Sequence, residues 1–208
     1  MRIDKLSSTP DRAGRYRVSF DDGSTLRLYR QTVEDFGLYT GMELSDEDCQ
    51  RLHTAAGQMS AKMRAVRIVA ATGVSKKDLQ QRLIRKGEDP TQAKEAVAWM
   101  EQLDLIDDRK TAEQVVSACI RKGYGLARAK QALYEKRIPR ELWEEALSEY
   151  PDQQDKILEY LEAKLPDCPD ERQIRRTIDA LLRRGHSYSQ VRKALEQFSL
   201  DTNEFREE

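Results

Sequence analysis

Apolar and polar positions along this chain change rhythm near residue 30. Before it they alternate. Arg15-Tyr16-Arg17-Val18-Ser19-Phe20 and Thr25-Leu26-Arg27-Leu28-Tyr29 place every second residue on one side, which is the period of a strand. Asp21-Asp22-Gly23-Ser24 between them is a turn in which Gly23 can take positive φ, so 15–29 reads as a hairpin. Ile3 and Leu6 predict an earlier strand, with 10–14 as its loop. Three strands are the minimum for a sheet that stands alone. A short helix over 30–36 should end at Gly37.

After Ser45 the period becomes helical. Ser45-Asp46-Glu47-Asp48 predicts an N-terminal cap with acids at the positive end of the helix dipole. From there to Thr72 the pattern fits one long helix, or two joined near Gly57. Beyond it the pattern repeats. Ala93, Ala96, Val97 and Met100 occupy one helical face, as do Trp143, Ala146, Leu147 and Tyr150, and then Val191, Ala194, Leu195 and Phe198. The sets recur about every 50 residues. The preceding helix repeats as well, through Leu83, Leu133 and Leu181, followed four residues later by Gly87, Arg137 and Gly185. Gly87 and Gly185 suit the left-handed position that ends a helix. Asp89-Pro90-Thr91-Gln92 and Ser187-Tyr188-Ser189-Gln190 are capping-box patterns that restart it. A further helix precedes each pair, near 60–72, 108–121 and 153–165.

The expected fold is therefore mainly α: three tandem three-helix repeats in an elongated, curved array, preceded by a small antiparallel β-rich segment. The divisions predicted are 1–44 for the β-rich extension, 45–106 for a linker helix and the first repeat, 107–151 for the second, and 152–208 for the third with a C-terminal tail. A three-helix unit buries little surface by itself, so neighbours should stack.

Charge follows the repeat. The net charge is +4 over 75–87, +6 over 121–140 and +5 over 171–193, against −7 over 141–162. The second helix of every repeat is basic. Such runs are either solvated faces paired with neighbouring acids or a track for a polyanion. The candidates for the second role are Lys76, Lys77, Arg82, Arg85 and Lys86; then Arg121, Lys122, Arg128, Lys130, Lys136 and Arg137; then Arg175, Arg176, Arg183 and Arg184. Contacts of this kind give affinity through phosphates and not base readout. Tyr124 either packs in its turn or stacks on a base.

Composition narrows the remaining classes. The 208 residues carry 36 basic and 37 acidic side chains, which excludes a uniformly basic nucleic-acid binder but not local patches. Hydrophobic residues at 38% and aromatics at 7% suit small helical units better than one deep core. No apolar run approaches the roughly 20 residues that span a bilayer, and 1–6 holds no signal core. A soluble, cytoplasmic monomer is expected. Cys49, Cys119 and Cys168 read as reduced thiols with no zinc spacing. The two histidines are His53 and His186, and His186 reads as a polar surface residue in a turn. Asp107-Asp108 reads as a helix cap, Gly123-Tyr124-Gly125 as a helix-to-helix turn, and Trp99 and Trp143 as core. No enzyme, cofactor or metal site is expected.

One stretch is more specific. Leu103-Asp104-Leu105-Ile106-Asp107-Asp108, Ala112, Arg121-Lys122-Gly123-Tyr124-Gly125, Ala129, Leu133 and Lys136-Arg137-Ile138-Pro139 together resemble the RecX family, bacterial regulators of the RecA recombinase in DNA repair and recombination. Ser75-Lys76-Lys77-Asp78-Leu79 with Leu83 and Lys86-Gly87 looks like the family's first-repeat helix. Thr111 stands where members often have an aromatic, and Leu105 where Gly or an aromatic is common. The resemblance covers about 46–200. It implies three tandem three-helix units, a non-enzymatic activity, and a protein that lies along the RecA–DNA filament and limits its extension, with RecA and the filament's DNA as partners. The residues themselves also admit a direct nucleic-acid-binding helical module or a helical-repeat protein scaffold.

Overall fold

The computed structural model describes residues 1–166 and 169–197. Cys168, Phe198 and the C-terminal tail lie outside the described residues. The chain divides into two compact units, Met1–Ile106 and Asp107–Glu208.

The first unit opens with three antiparallel strands in the order β1 (Ile3–Leu6), β2 (Arg15–Phe20), β3 (Thr25–Tyr29). The hairpin registers Arg17 on Arg27 and Ser19 on Thr25, and Gly23 in its turn has φ +82°. Ile3, Val18, Phe20 and Leu28 point inward and close a core with Leu38, Leu44, Leu52 and Ala56. The alternation read from the sequence is thus the alternation of buried and exposed faces. Helix α1 (Arg30–Asp35) follows, and Gly37 turns the chain with φ +57°.

Helix α2 (Asp46–Ala71) is a single helix of 26 residues, about 39 Å long. Ser45 caps it by accepting from the Asp48 amide at 3.0 Å. Its first half closes the sheet core, while Ala61 and Ala65 join a second core with α3 (Lys76–Arg85) and α4 (Pro90–Gln102). Gly57 breaks nothing. It makes room for α4, since a Cβ there would meet the Gln92 amide at 2.3 Å. Gln92 therefore lies against α2, while Asp89 caps α4 through the amides of Thr91 and Gln92. Leu79, Leu83, Ala93, Ala96 and Met100 are almost fully buried in this second core. Each leucine contributes about 1.5–3 kcal/mol by burial.

The second unit holds the other two repeats. Helix α5 (Asp108–Arg121) is capped by Asp107, which accepts from the amides of Arg109 and Lys110. Helix α6 (Leu126–Glu135) follows. The third helix of this repeat is much shorter than its periodicity predicts: a 3-10 turn at Arg140–Leu142, then α7 (Trp143–Leu147). Tyr150 is past its end, bound through its hydroxyl to the Tyr124 carbonyl at 2.6 Å. Pro151 explains part of this, because it disfavours helical backbone at the residue before it. Trp143 and Tyr150 are only partly buried, and this core has just four buried members, Ala112, Val116, Leu133 and Ile138. Helices α8 (Gln154–Lys164), α9 (Glu171–Arg183) and α10 (Tyr188–Gln197) form the last repeat around Ile157, Leu161, Leu181, Val191, Ala194 and Leu195. Two capping boxes start its later helices. In one, Asp170 and Gln173 each accept from the other's amide, and in the other Ser187 and Gln190 do the same.

Six helices end in one way. Gly37, Gly87, Asp104, Gly123, Arg137 and Gly185 take φ between +54° and +89° after α1, α3, α4, α5, α6 and α9. In each, the next amide reaches back five positions, as Ile138 does to the Leu133 carbonyl at 3.1 Å. The equivalence of Gly87, Arg137 and Gly185 in the sequence is therefore an equivalence of backbone. Arg137 takes, with a side chain, a conformation the other two take as glycine.

Candidate polyanion interface

The terminators fix where the cations stand. Lys86, Lys136 and Arg184 are the last residues before the left-handed turn on α3, α6 and α9. A positive charge there also suits the negative end of the helix dipole.

In the first unit, α3 carries two kinds of cation. Lys76 pairs with Glu101 at 2.8 Å, and Arg82 pairs with the buried Asp78 at 2.9 Å. These fasten the helix to its surroundings. Lys77, Arg85 and Lys86 are exposed, with Arg85 donating to the Gln81 carbonyl at 3.4 Å. Arg82 and Lys86 also line a shallow groove with Arg64, Arg67 and the apolar edge of α2. Arg64 is held by Glu88 at 2.8 Å and by the Lys86 carbonyl at 2.6 Å, and Arg67 by the Tyr29 hydroxyl at 2.6 Å. Nothing in the periodicity points to Arg64 and Arg67, because one turn of a long helix carrying two arginines looks like any solvated face.

In the second unit, Lys122, Tyr124, Arg128 and Arg184 meet where the end of α9 abuts the start of α6. The Gly125 amide donates to the Arg184 carbonyl at 2.9 Å, and the Ala127 amide to the Gly185 carbonyl at 3.3 Å. The unsatisfied carbonyls of one helix thus satisfy the orphan amides of another. The approach leaves no room for side chains. A Cβ on Gly125 would lie 2.0 Å from the Gly185 oxygen, and one on Gly185 would lie 2.3 Å from the Arg128 nitrogen. The Arg184 guanidinium sits 5.2 Å from the Tyr124 ring centre and 5.0 Å from that of Tyr160, and donates to the Lys122 carbonyl at 2.9 Å. Arg184 is thereby part of the scaffold, and Tyr124 packs in its turn.

His186 lies under this joint and corrects the expectation of a surface residue, since it is 4% exposed. Its Nε2 donates to the Gly123 carbonyl at 3.1 Å, leaving Nδ1 buried without a hydrogen-bond partner. Burial pulls its pKa below the ordinary histidine value, against the Gly123 hydrogen bond and with the help of the Arg184 charge. Proximity in sequence to Gly185 suggested a turn, which is right. It could not show that the turn would be covered by residues some 60 positions earlier. Cys119 is buried beside the same joint, and burial raises its thiol pKa against the opposing charges of Arg128 and Lys122.

The remaining candidates separate by pairing. Arg128 binds Glu135 at 3.0 Å, and Arg175 pairs with Glu171 on its own helix. Arg121, Lys122, Lys130, Arg176 and Arg183 are exposed and form no ion pair among the described residues. Lys136 and Arg137 are partly buried at the end of α6. The arrangement offers charge and no converging chemistry: among the described residues, no group of three or more His, Cys, Asp or Glu could hold a metal ion. Nor, among them, is any helix long and apolar enough to cross a membrane.

Tandem three-helix units with cationic second helices define a helical-repeat protein. Residues 107–147 match the second three-helix domain of RecX. Regulatory protein RecX of Streptococcus gordonii is 23% identical over 98% of this chain and 81% of its own length. That of Vibrio parahaemolyticus is 26% identical over 67% of this chain and 92% of its own. Among solved structures, one described as regulatory protein RecX superposes with a TM-score of 0.62 at 20% identity, covering 95% of this chain and 98% of that one. RecX from Lactobacillus salivarius gives 0.60 at 20% identity, covering 70% and 98%. The fold is therefore shared with RecX structures. Among the departures from the family motif, Thr111 is explained locally, since its hydroxyl donates to the Asp107 carbonyl at 2.7 Å and reinforces the start of α5. Leu105 is half exposed and sits in the turn after α4.

Proposed function

We propose that this protein binds the RecA–DNA filament and restrains its extension, and with it the filament's ATPase and recombination activity. The observation that carries this reading is the set of exposed cations, without an ion pair among the described residues, on the second helices of successive repeats: Lys77 on α3, Lys130 on α6, and Arg176 and Arg183 on α9. Each lies on a helix whose other face is locked into an apolar core, so its position is set by the fold. Such a series suits a partner that is itself repetitive and anionic. Phosphates of the filament's DNA and acidic patches on the recombinase both meet that description. A protein engaging several protomers together would oppose their addition or rearrangement without any covalent chemistry.

The test is titration into the single-stranded-DNA-dependent ATPase of the cognate RecA at physiological salt. Inhibition well below one copy per protomer is expected. The combined variant Lys130→Glu, Arg176→Glu, Arg183→Glu should lose it while keeping its helical circular dichroism. Full inhibition by that variant would remove the helical faces from the mechanism, and no effect of the unaltered protein on an active filament would remove the recombinase.

A further inference from the structure

The outward face of the three-stranded sheet has a composition that the strand pattern alone does not require. Across the strands run two rows, Ser7–Arg17–Arg27 and Lys5–Ser19–Thr25, set by the registers of Arg17 on Arg27, Ser19 on Thr25 and Lys5 on Ser19, and by the paired bonds between Ser7 and Arg17. Apart from Thr25, these side chains and Arg15 floor a shallow depression of about 520 Å³. Lys5, Arg17 and Arg27 are exposed, and none forms an ion pair among the described residues. The acid closest at hand, Asp11, is already committed, accepting from the Arg15 guanidinium at 2.9 and 3.1 Å and from the Arg15 amide at 3.0 Å.

Directly opposed residues on adjacent strands stand about 4.5–5.5 Å apart, and like charges there weaken a sheet. Arg17 facing Arg27 is such a pair. A sheet selected only for stability would alternate the signs or use threonine. The three free cations, with Ser7 and Ser19 hydroxyls between them and no aromatic among the lining residues, form a phosphate-contacting set and not a base-stacking one.

We propose that this sheet face is a nucleic-acid-binding surface that grips the phosphodiester backbone without reading sequence. It lies on the β-rich segment and does not depend on the recombinase being a partner. Lys5, Arg17 and Arg27 neutralise phosphates, and Ser7 and Ser19 donate to phosphate oxygens.

The experiment is fluorescence anisotropy of the full chain with a 40-nucleotide oligothymidylate, read as affinity against salt concentration. Each phosphate contact removed from a single strand lowers the slope of log K against log salt by about 0.7. The variant Lys5→Gln, Arg17→Gln, Arg27→Gln should lower it by about 2 and weaken binding about tenfold or more in 0.1 M salt. Its melting temperature should hold or rise, because the cross-strand repulsion is gone. Arg27→Gln alone should lower the slope by about 0.7, and serves if the triple variant folds poorly. An unchanged slope in a folded variant overturns the proposal. So does a triple variant that keeps the slope but loses ATPase inhibition, which would assign the face to an acidic protein surface. The helical variant above should keep the sheet's share of the slope, so the two surfaces fail separately.

Discussion

Placing one methyl group at Gly125 should undo the joint between the second and third repeats. The backbone at this position is ordinary, with φ −77° and ψ 164°, so alanine meets no conformational strain. The obstacle is the neighbouring chain. The added Cβ would lie 2.0 Å from the Gly185 oxygen, 2.2 Å from its carbonyl carbon and 2.4 Å from the His186 nitrogen. All three are backbone atoms, and none can swing aside. Relief requires the end of α9 to retreat from the start of α6, which stretches the bonds from the amides of 125 and 127. Overpacking of this kind costs about 1–3 kcal/mol, and each backbone bond lost adds about 1 kcal/mol. The expected total is about 3 kcal/mol, or somewhat over a hundredfold in the docking equilibrium. Gly57→Ala is the control. Its clash is with the far end of the flexible Gln92 side chain, and alanine improves helix propensity by up to about 1 kcal/mol. Urea denaturation followed by the fluorescence of Trp99 and Trp143, with amide exchange at 125 and 127, reads both. A Gly125→Ala protein with an unchanged midpoint and protected amides would refute the reasoning, as would a Gly57→Ala protein that is the more damaged of the two.

His186 and Arg184 give two further tests. His186 has a folded-state pKa depressed below its ordinary 6.5, so the unfolded chain binds the proton more readily. Its neutral burial therefore supports stability above pH 6.5, and that support is lost as pH falls through 6.5 towards the depressed folded value. His186→Gln should flatten this limb of the stability profile, and an equally steep limb in the variant would assign the dependence to other groups. Arg184→Ala removes a cation shared by two tyrosine rings and should cost about 1–2 kcal/mol. Arg184→Lys should recover less than half, because an ammonium lacks the planar guanidinium that stacks between rings; thermal melts that place the lysine variant level with the unaltered protein would contradict that assignment.

What the sequence shows well is what depends on neighbours a few residues apart. Strand alternation at 15–20 and 25–29, the helical faces through Leu83, Leu133 and Leu181, and the caps at Ser45, Asp107 and Ser187 are all local, and all stand as read. Gly57 was ambiguous because a mid-helix glycine means a break or a close approach, and only α4 decides which. The shortening of α7 escaped because Trp143, Ala146, Leu147 and Tyr150 keep helical spacing even though the helix stops at Leu147. His186 and the Gly125–Gly185 contact escaped for a different reason: their partners lie about 60 positions away. The cationic site was half legible. Residue type located the basic helices, but whether a given arginine is exposed, like Arg183, or enclosed, like Arg184, rests on aromatic rings from elsewhere in the fold.

The shared helix terminator has a consequence at Arg137 for the entropy of recognition. Its amide is fixed on the Tyr134 carbonyl at 2.9 Å, and the next amide on that of Leu133 at 3.1 Å, so the backbone has one conformation before any partner arrives. A cation on a mobile loop gives up about 1–2 kcal/mol of backbone freedom per residue when it is captured. At Arg137 the backbone's share of that loss was met during folding. Arg137→Gly would relax the turn and remove the charge in one step.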